Sequence, residues 1–197
     1  MALSYLRRDE WGAVKPLKWN DLQLPLYHVY YIATQTRECS DELTCIKVCQ
    51  RLQSIHLMKK YGDIRFSFMI GGDGQVYEGR GWKYAPSLPI EYRDRNQQQS
   101  ILIAFIGRWV NDQVTPIMMR AASDLIDYAI DNNYLKKSYR SQNLFKDHFR
   151  EEVIEEMIKD SYITKLKNRT RTACMLKEMG LNNELSPEID TRYIFKK

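Results

Sequence analysis

The run Leu26-Tyr27-His28-Val29-Tyr30-Tyr31-Ile32-Ala33 is almost wholly β-branched or aromatic and predicts a strand over residues 26–33. Asp41 then offers an N-cap for a helix reaching about Lys60, with Cys45, Val48, Leu52, Ile55 and Met58 at helical spacing. Residues 64–70 alternate as a strand does, and Gly71-Gly72-Asp73-Gly74 suits a tight turn with positive φ. Val76-Tyr77-Glu78 returns as the hairpin partner. Residues 101–106 are apolar without a break, as in a central strand buried on both faces. Thr115-Pro116 supplies an N-cap and a first-turn proline for a helix to about Asn132, burying Met118, Ala122, Leu125, Ile126 and Ala129. A further helix is predicted over roughly 144–160, with Phe149, Val153, Ile154, Met157 and Ile158 on one side. Residues 1–25, with Trp11, Pro16, Trp19 and Pro25, read as an irregular arm over the domain surface. Residues 83–99, with two prolines and three consecutive glutamines, read as a long loop. This order predicts an α/β fold, a central mixed β-sheet flanked by helices.

A length of 197 residues suits one domain with a short appendage, here 1–160 and a basic, then polar, extension over 161–197. Residues 161–177 hold Lys165, Lys167, Arg169, Arg171 and Lys177 and no acid, so the remainder of the +5 chain is neutral. The stretch lacks interleaved aromatics and any nucleic-acid motif, so it reads as a solvated tail with no nucleic-acid partner. No segment approaches the roughly 18 apolar residues of a membrane span. Met1 to Arg8 has no long apolar core and does not read as a signal peptide. The chain is thus either cytoplasmic or has its secretory or anchoring part elsewhere. Cys39 and Cys45, six apart, are close enough for a small loop disulfide and do not match CxxC spacing. Asn168-Arg169-Thr170 is a glycosylation sequon, in keeping with secretion. The 13 tyrosines suit either an aromatic core or a groove that contacts sugar or peptide.

Ordered motifs carry a resemblance. Arg8-x-x-Trp11-Gly12-Ala13 is followed by the cysteine pair and Leu52-Gln53-x-x-His56-x-Met58. Asp63-Ile64-x-Phe66-x-Phe68-x-Ile70-Gly71-Gly72-Asp73-Gly74 runs on into Val76-Tyr77-Glu78-Gly79-Arg80-Gly81-Trp82. Ser100-Ile101-x-Ile103-Ala104-Phe105-Ile106-Gly107 closes the series. Over residues 5 to about 135 the chain resembles the peptidoglycan recognition proteins, insect-type innate-immunity members included, which are related to zinc-dependent N-acetylmuramoyl-L-alanine amidases. The resemblance implies a Cys39–Cys45 disulfide, with Cys49 outside the pair.

The amidase relatives hold zinc with two histidines and one cysteine, and a tyrosine assists the bound water. The family's His-His-Thr reads Ile32-Ala33-Thr34 here, and the assisting tyrosine matches Phe66. The late Gly-His-Arg has no clear match, and Ser186-Pro187 is a two-residue remnant of Thr-x-Cys-Pro-Gly. His28 lies four strand residues, about 13 Å, from Ile32, too far for a bond of roughly 2 Å. His56 reads as a hydrogen-bonded structural histidine, and His148 has no assigned neighbour. No cofactor and no catalytic residue are therefore expected.

The matched groove positions are Ile32, Thr34, Phe66, Trp82, Pro86 and Gln98, with Arg93 and Arg95 able to reach in from the loop. Pro86 stands for a groove histidine and Gln98 for the arginine that grips diaminopimelate-type peptidoglycan. The resulting expectation is a non-catalytic recognition domain, secreted or an ectodomain. It would act in innate immune recognition or its regulation, through weakly bound peptidoglycan fragments or a related receptor. Two alternatives stay open: an active zinc amidase, and an intracellular interaction module that reuses the fold.

Overall fold

The computed structural model describes residues 3–89, 92, 97–109 and 114–145. The chain divides into units 1–150 and 151–197, and every described residue belongs to the first. Beyond residue 145 the expected helix, the basic stretch, Cys174, His148 and the Ser186-Pro187 remnant lie outside the described residues.

Among the described residues, six strands form one sheet: β1 (Tyr5–Leu6), β2 (Leu26–Ala33), β3 (Phe68–Ile70), β4 (Val76–Glu78), β5 (Ser100–Phe105) and β6 (Leu135–Asn143). Their order is β1-β4-β3-β5-β2-β6, and only the β3–β4 hairpin is antiparallel. β5 is interior and all six of its residues are buried, as expected of a strand covered on both faces.

Alternation along the strands divides the interior into two layers. Val29 and Ala33 of β2 join Ile101, Ile103 and Phe105 of β5 in one cluster, with Met118, Ala122, Leu125 and Ala129. Those last four lie on helix α2 (Pro116–Asp131). Tyr30, Ile32, Leu102 and Ala104 point into the other cluster, with Cys45, Cys49 and Leu52 of helix α1 (Glu42–Met58). Among the described residues, one long helix therefore covers each face.

Local chemistry sets the element ends. Asp41 sits extended and its carboxylate accepts the Thr44 N–H at 3.0 Å, which starts α1. Gly74 adopts φ +80, and its N–H bonds to Gly71 O at 3.0 Å to close the hairpin.

Five sequence expectations need correction. The arm is not irregular throughout, because Tyr5–Leu6 adds a strand to β4, and Trp11 is core rather than surface cover. Its indole N–H donates to Glu78 O at 2.8 Å. The buried stripe of α1 is Cys45, Cys49, Leu52, Gln53 and His56, rotated from the expected one, and Met58 is 74% exposed. Polar Gln53 and His56 are buried because each finds partners, which periodicity of apolar residues does not register. Only residues 68–70 of the expected 64–70 strand pair in the sheet, since Ile64 and Phe66 spend their carbonyls on Arg80. Thr115 is the N-cap of α2 by position, but its hydroxyl makes no capping bond. Finally, β6 was not foreseen: it is a polar strand on the outside of β2.

Candidate functional site

Parallel β2 and β5 are in register from His28↔Ser100 to Ala33↔Phe105, so their carboxyl ends are level. Thr34 ties those ends together. Its N–H donates to Phe105 O at 2.9 Å, and its Oγ1 accepts the Gly107 N–H at 3.0 Å. The same hydroxyl lies 2.7 Å from Thr36 Oγ1. Thr34 is thus committed to the fold.

Ile32 is 1% exposed on the α1 face, and Phe66 is equally buried in the same cluster. The Phe66 ring meets His56 edge-on, with centroids 5.3 Å apart. A third member arrives from the far side. β6 pairs Asn143 with Tyr31, and the Leu144 N–H then donates to Tyr31 O at 2.8 Å. Leu144 follows directly, level with Ile32, and is 1% exposed.

This region is covered rather than open. Leu88 is fully buried in the same cluster. The Tyr92 ring packs 5.4 Å from Tyr30, and its hydroxyl accepts a bond from the Gln142 amide at 3.2 Å. Leu88 and Tyr92 follow β4 in the chain, and these two residues lie over β2 and β6.

The other groove candidates are not all brought together. Trp82 lies in the α2 layer, 4.5 Å from Phe68 and stacked on Tyr134 at 5.0 Å, across the sheet from Ile32. Pro86 is buried, and the neighbouring Ser87 carbonyl accepts Arg65 Nε–H at 3.3 Å. Gln98 is exposed and doubly paired with Gln23, through its carbonyl at 2.7 Å and its side chain at 2.9 Å. Arg93, Arg95 and the Asn168 sequon lie outside the described residues.

Cys39 and Cys45 form a disulfide with Cα atoms 5.1 Å apart, as the resemblance implied. Cys49 is a buried free thiol, and burial raises its pKa well above the usual range. His56 accepts the Arg65 backbone N–H through Nδ1 at 3.2 Å, which puts its proton on Nε2. Burial first, then the Arg65, Lys59 and Arg80 charges, push its pKa down to about 3. His28 is half-exposed, and burial with nearby Arg140 lowers its pKa.

Zinc needs nitrogen, sulfur or carboxylate donors at about 2.0–2.3 Å. Ile32, Phe66 and Leu144 offer only hydrocarbon, so these three positions do not fit the ion. Among the described residues no group of three or more His, Cys, Asp or Glu side chains is placed to hold a metal. Leu144, Leu88 and Tyr92 escaped sequence reasoning. The first would have been found had the polar stretch before it been recognised as an edge strand.

The N-acetylmuramoyl-L-alanine amidase family matches residues 26–174. Mouse peptidoglycan recognition protein 3 is 36% identical over 71% of this chain, which spans 39% of the mouse protein. Peptidoglycan-recognition protein 1 of Holotrichia diomphalia is 36% identical over 68% of this chain and 67% of its own length. Among solved structures, bumblebee PGRP-SA superposes with a TM-score of 0.67 at 32% identity, covering 72% of this chain and 83% of that one. Peptidoglycan recognition protein LE, solved in complex with tracheal cytotoxin, a monomeric diaminopimelic acid-type peptidoglycan, gives a TM-score of 0.66 at 27% identity. It covers 71% of this chain and 81% of that one. The chain belongs to the peptidoglycan recognition proteins, within the amidase family.

Proposed function

We propose that this domain is a non-catalytic peptidoglycan recognition protein that works in innate immune recognition or its regulation. It acts as a secreted domain or an ectodomain and engages a related receptor, with peptidoglycan fragments bound weakly. The observation that carries this reading is the sealed apolar cluster of Ile32, Phe66 and Leu144. In amidase relatives the position matched to Ile32 is a zinc-binding histidine and that matched to Phe66 the assisting tyrosine. A second ligand would have to reach the metal from beside Ile32, and the residue that β6 delivers there is Leu144. Hydrocarbon at all three removes two ligands and the proton-handling hydroxyl together.

Weak binding of cell-wall fragments follows from the same site. Leu88 and Tyr92 occupy the space over β2, and Gln98 is held by Gln23. Each lost buried partner costs a ligand about 1–3 kcal/mol, and about 1.4 kcal/mol is tenfold in affinity. Losses at the buried positions Ile32 and Pro86 therefore weaken binding by about tenfold or more each, and the exposed, neutral Gln98 adds a smaller loss.

Two measurements on the full chain test this. Elemental analysis after zinc loading should find no stoichiometric metal, and muropeptides should remain uncut. One zinc per chain at micromolar affinity, with release of the peptide, would overturn the non-catalytic reading. Titration with lysine-type and diaminopimelate-type muropeptides should give millimolar binding or none. Submicromolar binding of either would show that the loop after β4 builds a new site.

A further inference from the structure

The outer face of α2 departs from what helix stability asks of it. Residues 121–135 hold Asp124, Asp127 and Asp131 and no Lys, Arg or His, in a chain of net charge +5. Carboxylates favour the amino end of a helix and cations its carboxyl end. Here the aspartates gather toward the carboxyl end, and the last turn has no basic residue. Asp127 and Asp131 are exposed and Asp124 is half-buried. Among the described residues, none of the three carboxylates takes part in an ion pair or a side-chain hydrogen bond. Lys136 and Lys137, the next cations along the chain, do not pair with them. Lys83 lies over the Tyr84 ring at 5.2 Å.

An aromatic surface accompanies this charge. Asp124, Tyr128 and Asp131 are spaced four and then three residues apart, so they share one helix face, with neighbouring Cβ atoms about 5–6 Å apart. Tyr128 is 41% exposed. Its ring lies 6.4 Å from Trp82 and 6.2 Å from Tyr134, both half-buried. Trp82 and Tyr134 stack on each other at 5.0 Å, and Phe68 braces Trp82 from the sheet at 4.5 Å. Packing accounts for Leu125, Ile126 and Ala129, which fill the core under the helix. It does not account for an exposed ring set between uncompensated carboxylates.

We propose that this face of α2 docks a basic segment of a partner protein, with an arginine side chain lying on the Tyr128 ring between Asp124 and Asp131. A guanidinium stacks on an aromatic face and also meets carboxylates in a planar fork, so one side chain answers both features. An acidic segment would be repelled, and a purely apolar one would strip water from the carboxylates without replacing it. Trp82 and Tyr134 extend the contact beside the anchor with area that is rigid and half-buried beforehand. The face lies in the α2 layer, across the sheet from Ile32 and Phe66, so the inference goes beyond the non-catalytic reading and does not depend on it.

The test titrates the full chain at low salt with a capped hexa-arginine peptide by calorimetry, beside its neutral isostere hexa-citrulline. Hexa-arginine should bind, and more weakly as salt rises, while hexa-citrulline should not. Asp124→Lys and Asp131→Lys should each weaken binding about tenfold, as reversing one contact charge implies. Tyr128→Ala should weaken it about threefold, and Tyr128→Phe, which keeps the ring, should bind as wild type does. Glu38→Lys makes the same charge change at an exposed position before α1 and should leave binding unchanged. Asp131→Lys should also keep or raise the melting temperature of the free chain, since a cation suits the carboxyl end of a helix. No binding of hexa-arginine, equal affinity for hexa-citrulline, or an equal loss in Glu38→Lys would overturn the site. A lower melting temperature in Asp131→Lys would make that aspartate structural and remove the ground for the proposal. Sedimentation of the wild type should show no self-association through this face. Self-association that Asp131→Lys abolishes would reassign the face to a second copy of the chain and overturn the proposal.

Discussion

Acidification should destabilise this domain through one buried histidine. His56 is 6% exposed, its Nδ1 accepts the Arg65 N–H, and burial with three nearby cations pushes its pKa down to about 3 from 6.5. A depressed folded-state pKa means that the unfolded chain takes up the proton first. The neutral ring's contribution is complete above pH 6.5, declines as pH falls, and is exhausted near pH 3. Each pKa unit is worth about 1.4 kcal/mol, so moving from pH 7 to pH 5 should cost about 2 kcal/mol at this residue alone. Carboxylates contribute little in that window, and His28 has the same sign, so the comparison is made against a variant. His56→Asn keeps an acceptor for the Arg65 N–H but loses the ring contacts with Phe66 and Tyr61. It should be less stable at pH 7 by about 1–3 kcal/mol and should lose most of the pH slope. Urea unfolding at pH 7, 6 and 5, with the denaturant slope checked for constancy, measures both. If wild type and variant fall in parallel between pH 7 and pH 5, His56 is not held neutral and the reasoning fails.

Three further outcomes follow from other contacts. Cys39→Ser with Cys45→Ser removes a small closed loop and should cost about 2 kcal/mol in chemical unfolding, while reductant should leave the double variant unaffected. Asp63→Ala leaves the Arg8 guanidinium and the Gln53 amide without their carboxylate, with bonds of 2.9 and 2.7 Å lost; it should cost about 3–5 kcal/mol, measured by thermal unfolding. Trp11→Ala should cost about 3–5 kcal/mol, since a core indole and its bond to Glu78 O both go, and a loss below about 1 kcal/mol would return Trp11 to the surface arm.

Much of the architecture was legible along the chain because its elements have strong periods and punctuation. Strand 26–33, the Gly71–Gly74 turn with its return strand, interior β5 and proline-started α2 each depend on neighbours within a few residues. That Ile32 and Phe66 carry only hydrocarbon side chains was equally legible, since side-chain chemistry can be read from the residue type alone. Only tertiary structure decided the rest. β6 has one buried residue at its start and polar ones beyond, so nothing local marks it as a strand; it exists because β2 presents a free edge to pair with. Leu144 gains meaning only from that pairing, and Leu88 and Tyr92 only from where their loop comes to rest. The buried stripe of α1 turned because Gln53 and His56 found partners in Asp63 and Arg65, well beyond one helical turn. Periodicity reports which residues leave water; which polar groups accompany them, and which distant side chains meet, is set by long-range pairing that a linear pattern does not encode.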